Sequence, residues 1–210
     1  DFMRRFGYGH KTGSGFPGES SGVFPAPDRW DGTSKQTMSY GYALSVTPLQ
    51  IASAYAALGN GGKLTPPSFI KGQHAASQQV LDPAIADEVL HMMQSVTEPG
   101  GTAIRAAILG YHVAGKTGTT RKASAGGYSR RYVGYFAGLV PVENPLFLMV
   151  VAVNDPTKGS YSGGIVAGPV FRNVMEGSLR LMDVSPDNLD AWLAAQAVAT
   201  LDELSPSDVF

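Results

Sequence analysis

The sequence predicts an α/β domain in which an antiparallel sheet is flanked by helices, with the first part of the domain lying outside this chain. Three observations carry that expectation. Two segments with helical spacing occupy the first half, three short β-rich runs separated by turn residues follow one another after residue 111, and an amphipathic helix comes after them.

At 210 residues the chain can bury a real core. Hydrophobic content of 43% and a net charge of -1 mark a globular protein. The same balance argues against a general nucleic-acid binder, for which a basic domain is expected. Without cysteine there is no disulfide, no thiolate nucleophile and no cysteine-ligated metal. No apolar run approaches the roughly 18 residues of a membrane span, and "DFMRRFGYGH" lacks a signal-peptide core. His10, His74, His91 and His112 show no metal spacing, so they read as structural or surface residues, and no metal or cofactor is expected.

Taken in order, residues 7–35 carry Gly, Pro and Ser too densely for regular structure. "SVTPLQIASAYAALGNGG" reads as a helix: Thr47 caps it, Pro48 fits its first position, Gln50 completes a capping box, and "GNGG" stops it. Leu49, Ala52, Tyr55, Ala56 and Gly59 share its expected inner face. "KLTPPSFIKG" is extended and excluded from a sheet centre by its prolines. A second helix opens at Asp82-Pro83, with Ile85, Val89, Met92, Met93 and Val96 expected inside. The strands "YHVAGKTGTT", "RYVGYFAGLVPV" and "PLFLMVVAVND" should pair sequentially. The third is apolar nearly throughout, as a central strand covered on both faces would be. "GIVAGPVFRNVMEGSLRLMD" turns Ile165, Val170, Phe171, Val174, Leu179 and Met182 toward the sheet, and the tail, residues 189–210, forms at most a peripheral helix.

Lys-Thr-Gly occurs twice, at Lys11-Thr12-Gly13 within the loop-rich segment and at Lys116-Thr117-Gly118-Thr119 within a strand. Alternation along that strand places Lys116 and Gly118 on one side and Thr117 and Thr119 on the other. Glycine leaves room for close approach to the backbone, and two hydroxyls with a cation suit the terminal carboxylate of an extended peptide laid along the edge. An ordinary edge strand with a solvated lysine would present the same four residues. The five basic residues Lys116, Arg121, Lys122, Arg130 and Arg131, with no acid among them, fit a solvated hairpin as well as an anion-facing rim.

The surroundings of the second copy separate these readings. "VAGKTGT" is followed by "FAGLVPVENP", "VVAVNDP" and "YSGGIVAGPVF", and preceded by "SYGYALSVTPLQIASAYAALGNGG" and "MMQSVTEPGGTA". In that order the chain, from about residue 1 to 188, resembles the C-terminal part of the transpeptidase domain of class B penicillin-binding proteins, most closely the septal, cell-division type of Gram-negative bacteria. K-T-G beside S-x-x-K is a signature of the serine β-lactamases and penicillin-binding proteins.

The resemblance implies the penicillin-binding-protein, serine β-lactamase-like fold and an acyl-serine enzyme. Such an enzyme is a peptidoglycan D,D-transpeptidase that cross-links stem peptides and is acylated by β-lactams. It implies a segment carrying S-x-x-K and S-x-N that precedes the region matched. Ser68-Phe69-Ile70-Lys71 has the first pattern but follows two prolines, and Ser185-Pro186-Asp187 imitates the second only loosely.

Carried over position by position, Lys116 sets the electrostatics of the site and Thr117 and Thr119 bond the substrate carboxylate. The Thr119 N–H supplies half of an oxyanion hole, Gly118 keeps the edge open, Arg121 steers the carboxylate, and Tyr42, Tyr161 and Gly163 border the binding site. Ser162 stands where relatives usually carry an aromatic, which implies a more open wall.

The resemblance further implies a septal glycosyltransferase and divisome proteins as partners, no nucleic acid, and a place at the periplasmic face of the inner membrane with the anchor outside this chain. A β-lactamase or D,D-carboxypeptidase shares the K-T-G strand, though not the stretch from "SYGYA" to "GNGG". A noncatalytic peptidoglycan-binding piece is the third reading, true of a chain to which no other segment brings a serine.

Overall fold

The computed structural model describes residues 2–73, 75–124 and 127–204. His74 therefore lies outside the described residues. The chain divides into two compact units, Asp1–Val89 and Leu90–Phe210. Among the described residues no helix is long and apolar enough to cross a membrane.

In the first unit, α1 (Phe2–Arg5) leads into a long irregular segment interrupted by one 3-10 turn at Pro27–Arg29 and by α2 (Ser34–Ser39). The helix α3 (Pro48–Gly59) has the expected N-terminus: the Gln50 N–H donates to Thr47 Oγ1 at 3.1 Å, and Gln50 Oε1 accepts from the Thr47 N–H at 2.8 Å. Its buried face is Gln50, Ser53, Ala54 and Ala57, not the Leu49–Ala56 stripe that spacing suggests, and Ala56 is exposed. The reason is Gln50. Its Nε2 donates to the carbonyls of His10 at 2.7 Å and Ser21 at 2.9 Å, so the helix turns a polar side chain inward to hold the loop. A small core of Phe6, Ala54, Ala57 and Val80 lies nearby, and a two-stranded ribbon pairs β1 (Lys63–Leu64) with β2 (Gln78–Gln79).

Next, α4 (Pro83–Met92) begins where Asp82-Pro83 predicts and passes into a 3-10 turn at Met93–Val96. Its face is also rotated by one residue. Ala86 and Leu90 are buried, whereas Ile85 and Met92 are half exposed or more, so Met92 is a surface residue and not core. An alanine carries little weight in a hydrophobic pattern, yet it is what fits closest packing.

The second unit is built on a three-stranded antiparallel sheet of order β3-β4-β5, comprising β3 (Ala114–Ser124), β4 (Gly127–Val140) and β5 (Phe147–Asn154). Lys116 pairs with Ala137, and a register irregularity lies between Arg121 and Ala123. β5 is an edge strand among the described residues, not the central one its apolar run suggested. The expected cover on both faces is also incomplete, since only Val151 of the strand is buried and Ala152 is exposed; an apolar run specifies neither pairing on both edges nor full cover.

One sheet face packs on α5 (Gly163–Val166) and α6 (Gly168–Leu181), with Phe136, Val140 and Val151 meeting Phe171, Met175 and Leu179 in a single cluster. The Phe136 and Phe171 rings meet edge to face at 4.9 Å. Of the residues expected to face the sheet, Phe171 and Leu179 do. Ile165, Val170, Val174 and Met182 are exposed by 42–64%, and Met175 takes the inner position instead.

The tail forms α7 (Leu189–Leu204). Asp187, which imitates a motif only loosely, serves the fold: its carboxylate accepts the His112 N–H at 2.7 Å and the Val142 N–H at 3.1 Å.

Candidate active-site edge

The K-T-G-T residues stand on β3, whose one strand partner among the described residues is β4, so the opposite edge carries no strand. The register sets the sides. Thr117 pairs with Phe136 and Thr119 with Gly134, which lie on the face packed by α5 and α6. Lys116 and Gly118 pair with Ala137 and Tyr135 on the other face. Lys116 is exposed, and its Nζ donates to the Thr117 carbonyl at 3.0 Å. That contact shows the carbonyl can be reached from the open side, where an incoming extended chain would find its acceptors.

The two hydroxyls are placed by the elements beneath them. Thr119 Oγ1 accepts the Gly163 N–H at 3.1 Å, which leaves its O–H free to donate outward. Thr117 Oγ1 and Thr102 Oγ1 lie 2.9 Å apart and share one hydrogen, so one hydroxyl of that pair also retains a free donor. The first turn of α5 can come this close only because position 163 is glycine. A β-carbon there would lie 2.2 Å from the Tyr135 carbonyl oxygen and 2.4 Å from that of Gly118. Gly118 differs: a β-carbon would meet only the Tyr135 side chain, from 3.5 Å, an ordinary contact. Among the described residues nothing demands glycine at 118, which fits a requirement imposed from the open side.

Farther along the same face, the Arg121 guanidinium lies 5.8 Å from the centre of the Tyr132 ring, and its Nε donates to the Tyr132 hydroxyl at 3.4 Å. Tyr132 in turn stacks on Tyr161 with ring centres 4.0 Å apart and planes 10° from parallel. Arg121, Tyr132 and Tyr161 thus form one layered wall beside the hydroxyls. The basic cluster divides accordingly. Arg131 is paired with Asp155 at 2.6 Å, and that carboxyl is held below its usual range by the Arg131 hydrogen bond. Lys122 donates to the Asn154 side chain at 2.9 Å. Burial pushes the Tyr135 phenol up, so it stays neutral.

The structure therefore brings together Thr117, Thr119, Arg121, Tyr161 and Gly163 on one face, with Lys116 and Gly118 on the other face of the same strand. Tyr42 belongs to the other unit, where its ring packs edge-on against Tyr40 at 5.8 Å. Sequence reasoning passed over Tyr132 and Thr102. The pairing of Tyr132 with Arg121 was present in the pattern only for a reader who already knew the hairpin register. Ser68 and Lys71, the remaining S-x-x-K, lie outside any helix, and the Ser68 hydroxyl is turned into its own loop toward Ile70 and Gln73.

A model of the penicillin binding protein transpeptidase domain matches residues 1–176. The peptidoglycan D,D-transpeptidase FtsI of Escherichia coli K12 is 44% identical over 191 residues, covering 90% of this chain and 32% of that protein. A probable peptidoglycan D,D-transpeptidase, PenA of Neisseria flavescens, is 44% identical over 188 residues, 89% of this chain and 47% of that one. The chain thus spans about a third to a half of these curated relatives. Among solved structures, the apo transpeptidase domain of Burkholderia pseudomallei penicillin-binding protein 3 superposes with a TM-score of 0.81 at 37% identity, covering 89% of this chain and 57% of that one. Penicillin-binding protein 3 of Mycobacterium tuberculosis, complexed with aztreonam, gives 0.83 at 29% identity, covering 89% and 46%.

Proposed function

The chain belongs to the penicillin-binding protein transpeptidase family, and from that premise we propose that it supplies one wall of a peptidoglycan D,D-transpeptidase site. In this reading a serine on a segment other than this chain attacks the carbonyl of the penultimate residue of a stem peptide, and the terminal residue leaves. The acyl-serine then passes to the amine of a second stem peptide. β-Lactams acylate the same serine. The observation that carries the reading is the open β3 edge, which has the Thr117 and Thr119 hydroxyls and the wall of Arg121, Tyr132 and Tyr161 on one face and the Lys116 ammonium on the other.

The parts divide the chemistry. A peptide lying along β3 has its terminal carboxylate met by the Thr119 O–H and by the Thr117 hydroxyl when Thr102 donates to it, with Arg121 contributing charge. The Thr119 N–H serves the oxyanion, where loss of one donor typically costs about a hundredfold or more. The Lys116 ammonium favours the neutral form of nearby amines and attracts the substrate carboxylate. Gly163 fixes Thr119, and Tyr161 lines the flank. Transfer is favoured over simple hydrolysis because the relatives at 44% identity are named transpeptidases. The same kinship supports a site at the periplasmic face of the inner membrane, with a septal glycosyltransferase and other division proteins as the proposed partners.

The test is acylation by a fluorescent penicillin in the intact protein. Wild-type protein should label and deacylate slowly, and Thr119→Val should label about tenfold more slowly, near 1.4 kcal/mol. Fast release of the penicilloyl group would identify a hydrolase instead, and an absence of labelling would remove the acyl-enzyme reading.

A further inference from the structure

The first Lys-Thr-Gly, which the strand site leaves unused, borders a cavity of about 140 Å3 inside the unit of residues 1–89. The walls are chemically divided. Phe6, Leu64 and Pro66 make an apolar side, and Phe6 and Leu64 belong to the core cluster of this unit. Lys11 stands at the exposed rim, and Ser53 of α3 lies within, 9% exposed. Among the described residues the Ser53 hydroxyl makes no hydrogen bond, so it is open to donate to a group that enters the cavity.

The rim is built in advance. Gln50, 1% exposed, ties His10 and Ser21 to the helix, and the Glu19 carboxylate accepts the Thr12 N–H, the Thr12 hydroxyl and the Ser14 hydroxyl at 2.6–2.9 Å. Glu19 is the acid that senses Lys11, but its oxygens are engaged by these donors and it does not border the cavity. The charge that does border it is positive.

We propose that this cavity is a second binding site, for a small aliphatic monocarboxylate. Its carboxylate meets the Lys11 ammonium and the Ser53 hydroxyl, and its alkyl body lies against Phe6, Leu64 and Pro66. The volume is close to that of a cavity of about 150 Å3 known to hold benzene, so the ligand has about six non-hydrogen atoms at most. A single ammonium, with no arginine among the residues that line the cavity, suits a monoanion better than a phosphate.

Saturation-transfer NMR on the intact protein carrying this chain, with butyrate as probe, tests the site. Butyrate should bind in the range of about 1–10 mM, where one ion contact and a short chain fall, and n-butylamine and 1-butanol should bind less well. Lys11→Ala should weaken butyrate by at least about tenfold, and Ser53→Ala by about threefold. Ala76→Leu, at an exposed position bordering the cavity, should abolish binding while thermal unfolding stays unchanged. Butyrate binding no better than 1-butanol, or binding indifferent to Lys11→Ala and Ala76→Leu, or none at all, would overturn the proposal. None of these outcomes depends on acylation, so the strand site stands or falls separately.

Discussion

The two Lys-Thr-Gly copies share three letters and differ in what holds them. Around Lys11 the backbone turns through left-handed glycines at 7, 9, 13 and 15, and the loop is fixed by side chains, with Glu19 gripping Thr12 and Ser14 from one side and Gln50 gripping His10 from the other. Around Lys116 the backbone is a strand held by ladder pairing, and it presents side chains at a fixed period. A loop held by side chains makes a pocket, whereas a strand with one unpaired edge makes a template for another extended chain. The motif's letters do not decide its chemistry; the element that carries them does.

The largest test of that contrast is Lys116→Ala. An ammonium acting on both binding and transition state should lower penicillin acylation by roughly two to four orders of magnitude, about 3 to 5 kcal/mol. Because the lysine is exposed on a strand edge, unfolding stability should change by less than about 0.5 kcal/mol. Acylation that falls only in step with folded protein, or a folded variant that reacts at nearly the normal rate, would make Lys116 structural and dissolve the difference between the copies.

Gly163→Ala probes the support beneath the strand copy. The added methyl would press on two backbone oxygens that cannot turn aside, so α5 must retreat, at a cost of about 1–3 kcal/mol. The midpoint of denaturant unfolding should report the loss. Acylation should fall as well, since Thr119 loses the N–H that orients it. Stability and acylation both unchanged would mean that α5 does not position the edge.

How much of this could be read beforehand depended on whether a signal was local. The cap of α3 was legible because Thr47, Pro48 and Gln50 lie within four positions and act on one another. The three-strand order was legible because each connection is short. Inner faces were less so: Ala86 and Gln50 occupy buried positions that hydropathy assigns to larger or more apolar residues, while Ile85 and Met92 stand outside. The reach of β3 to Ser124 was missed, because "RKASAGG" reads as turn while the pairing with β4 continues past the irregularity at Arg121. Within the candidate site, the strand residues were legible from alternation. The Tyr132–Tyr161 stack and the Thr102–Thr117 pair were not, since each joins residues whose proximity only the fold creates.

Acid should distinguish the two copies without any substitution. Hydrogen bonds from the Thr12 hydroxyl, then from the Thr12 N–H, hold the Glu19 carboxyl below its usual range. A carboxylate depressed in the folded state contributes its stabilisation above the unfolded value and loses it as pH falls through the lower folded value. The 11–19 loop should therefore loosen as pH drops below the ordinary glutamate range, and the Thr12 amide should lose protection from exchange there. The Lys116 and Gly118 amides, which alternation turns toward β4 when the Thr117 carbonyl and the Thr119 N–H face the open edge, sit in a ladder that involves no titrating group, and they should keep their protection over the same window. Equal loss at both places would show that the loop copy has no separate acid-sensitive support.

The smallest effect expected is that of Lys11→Ala on acylation. Lys11 sits in a loop with no strand edge for a peptide to align on, and its own neighbours Thr12 and Ser14 spend their hydroxyls on Glu19, not on a ligand. Removing its charge takes nothing from the arrangement of Thr117, Thr119 and Arg121, so the rate of penicillin acylation should stay within a factor of about three, the range of a surface substitution. The measurement gains force from being paired with butyrate binding, which the same variant should weaken. A hundredfold drop in acylation would show that the loop copy, and not the strand copy, carries the chemistry. Butyrate binding lost while acylation holds would show instead that one three-letter motif serves two unrelated sites, each defined by the backbone beneath it.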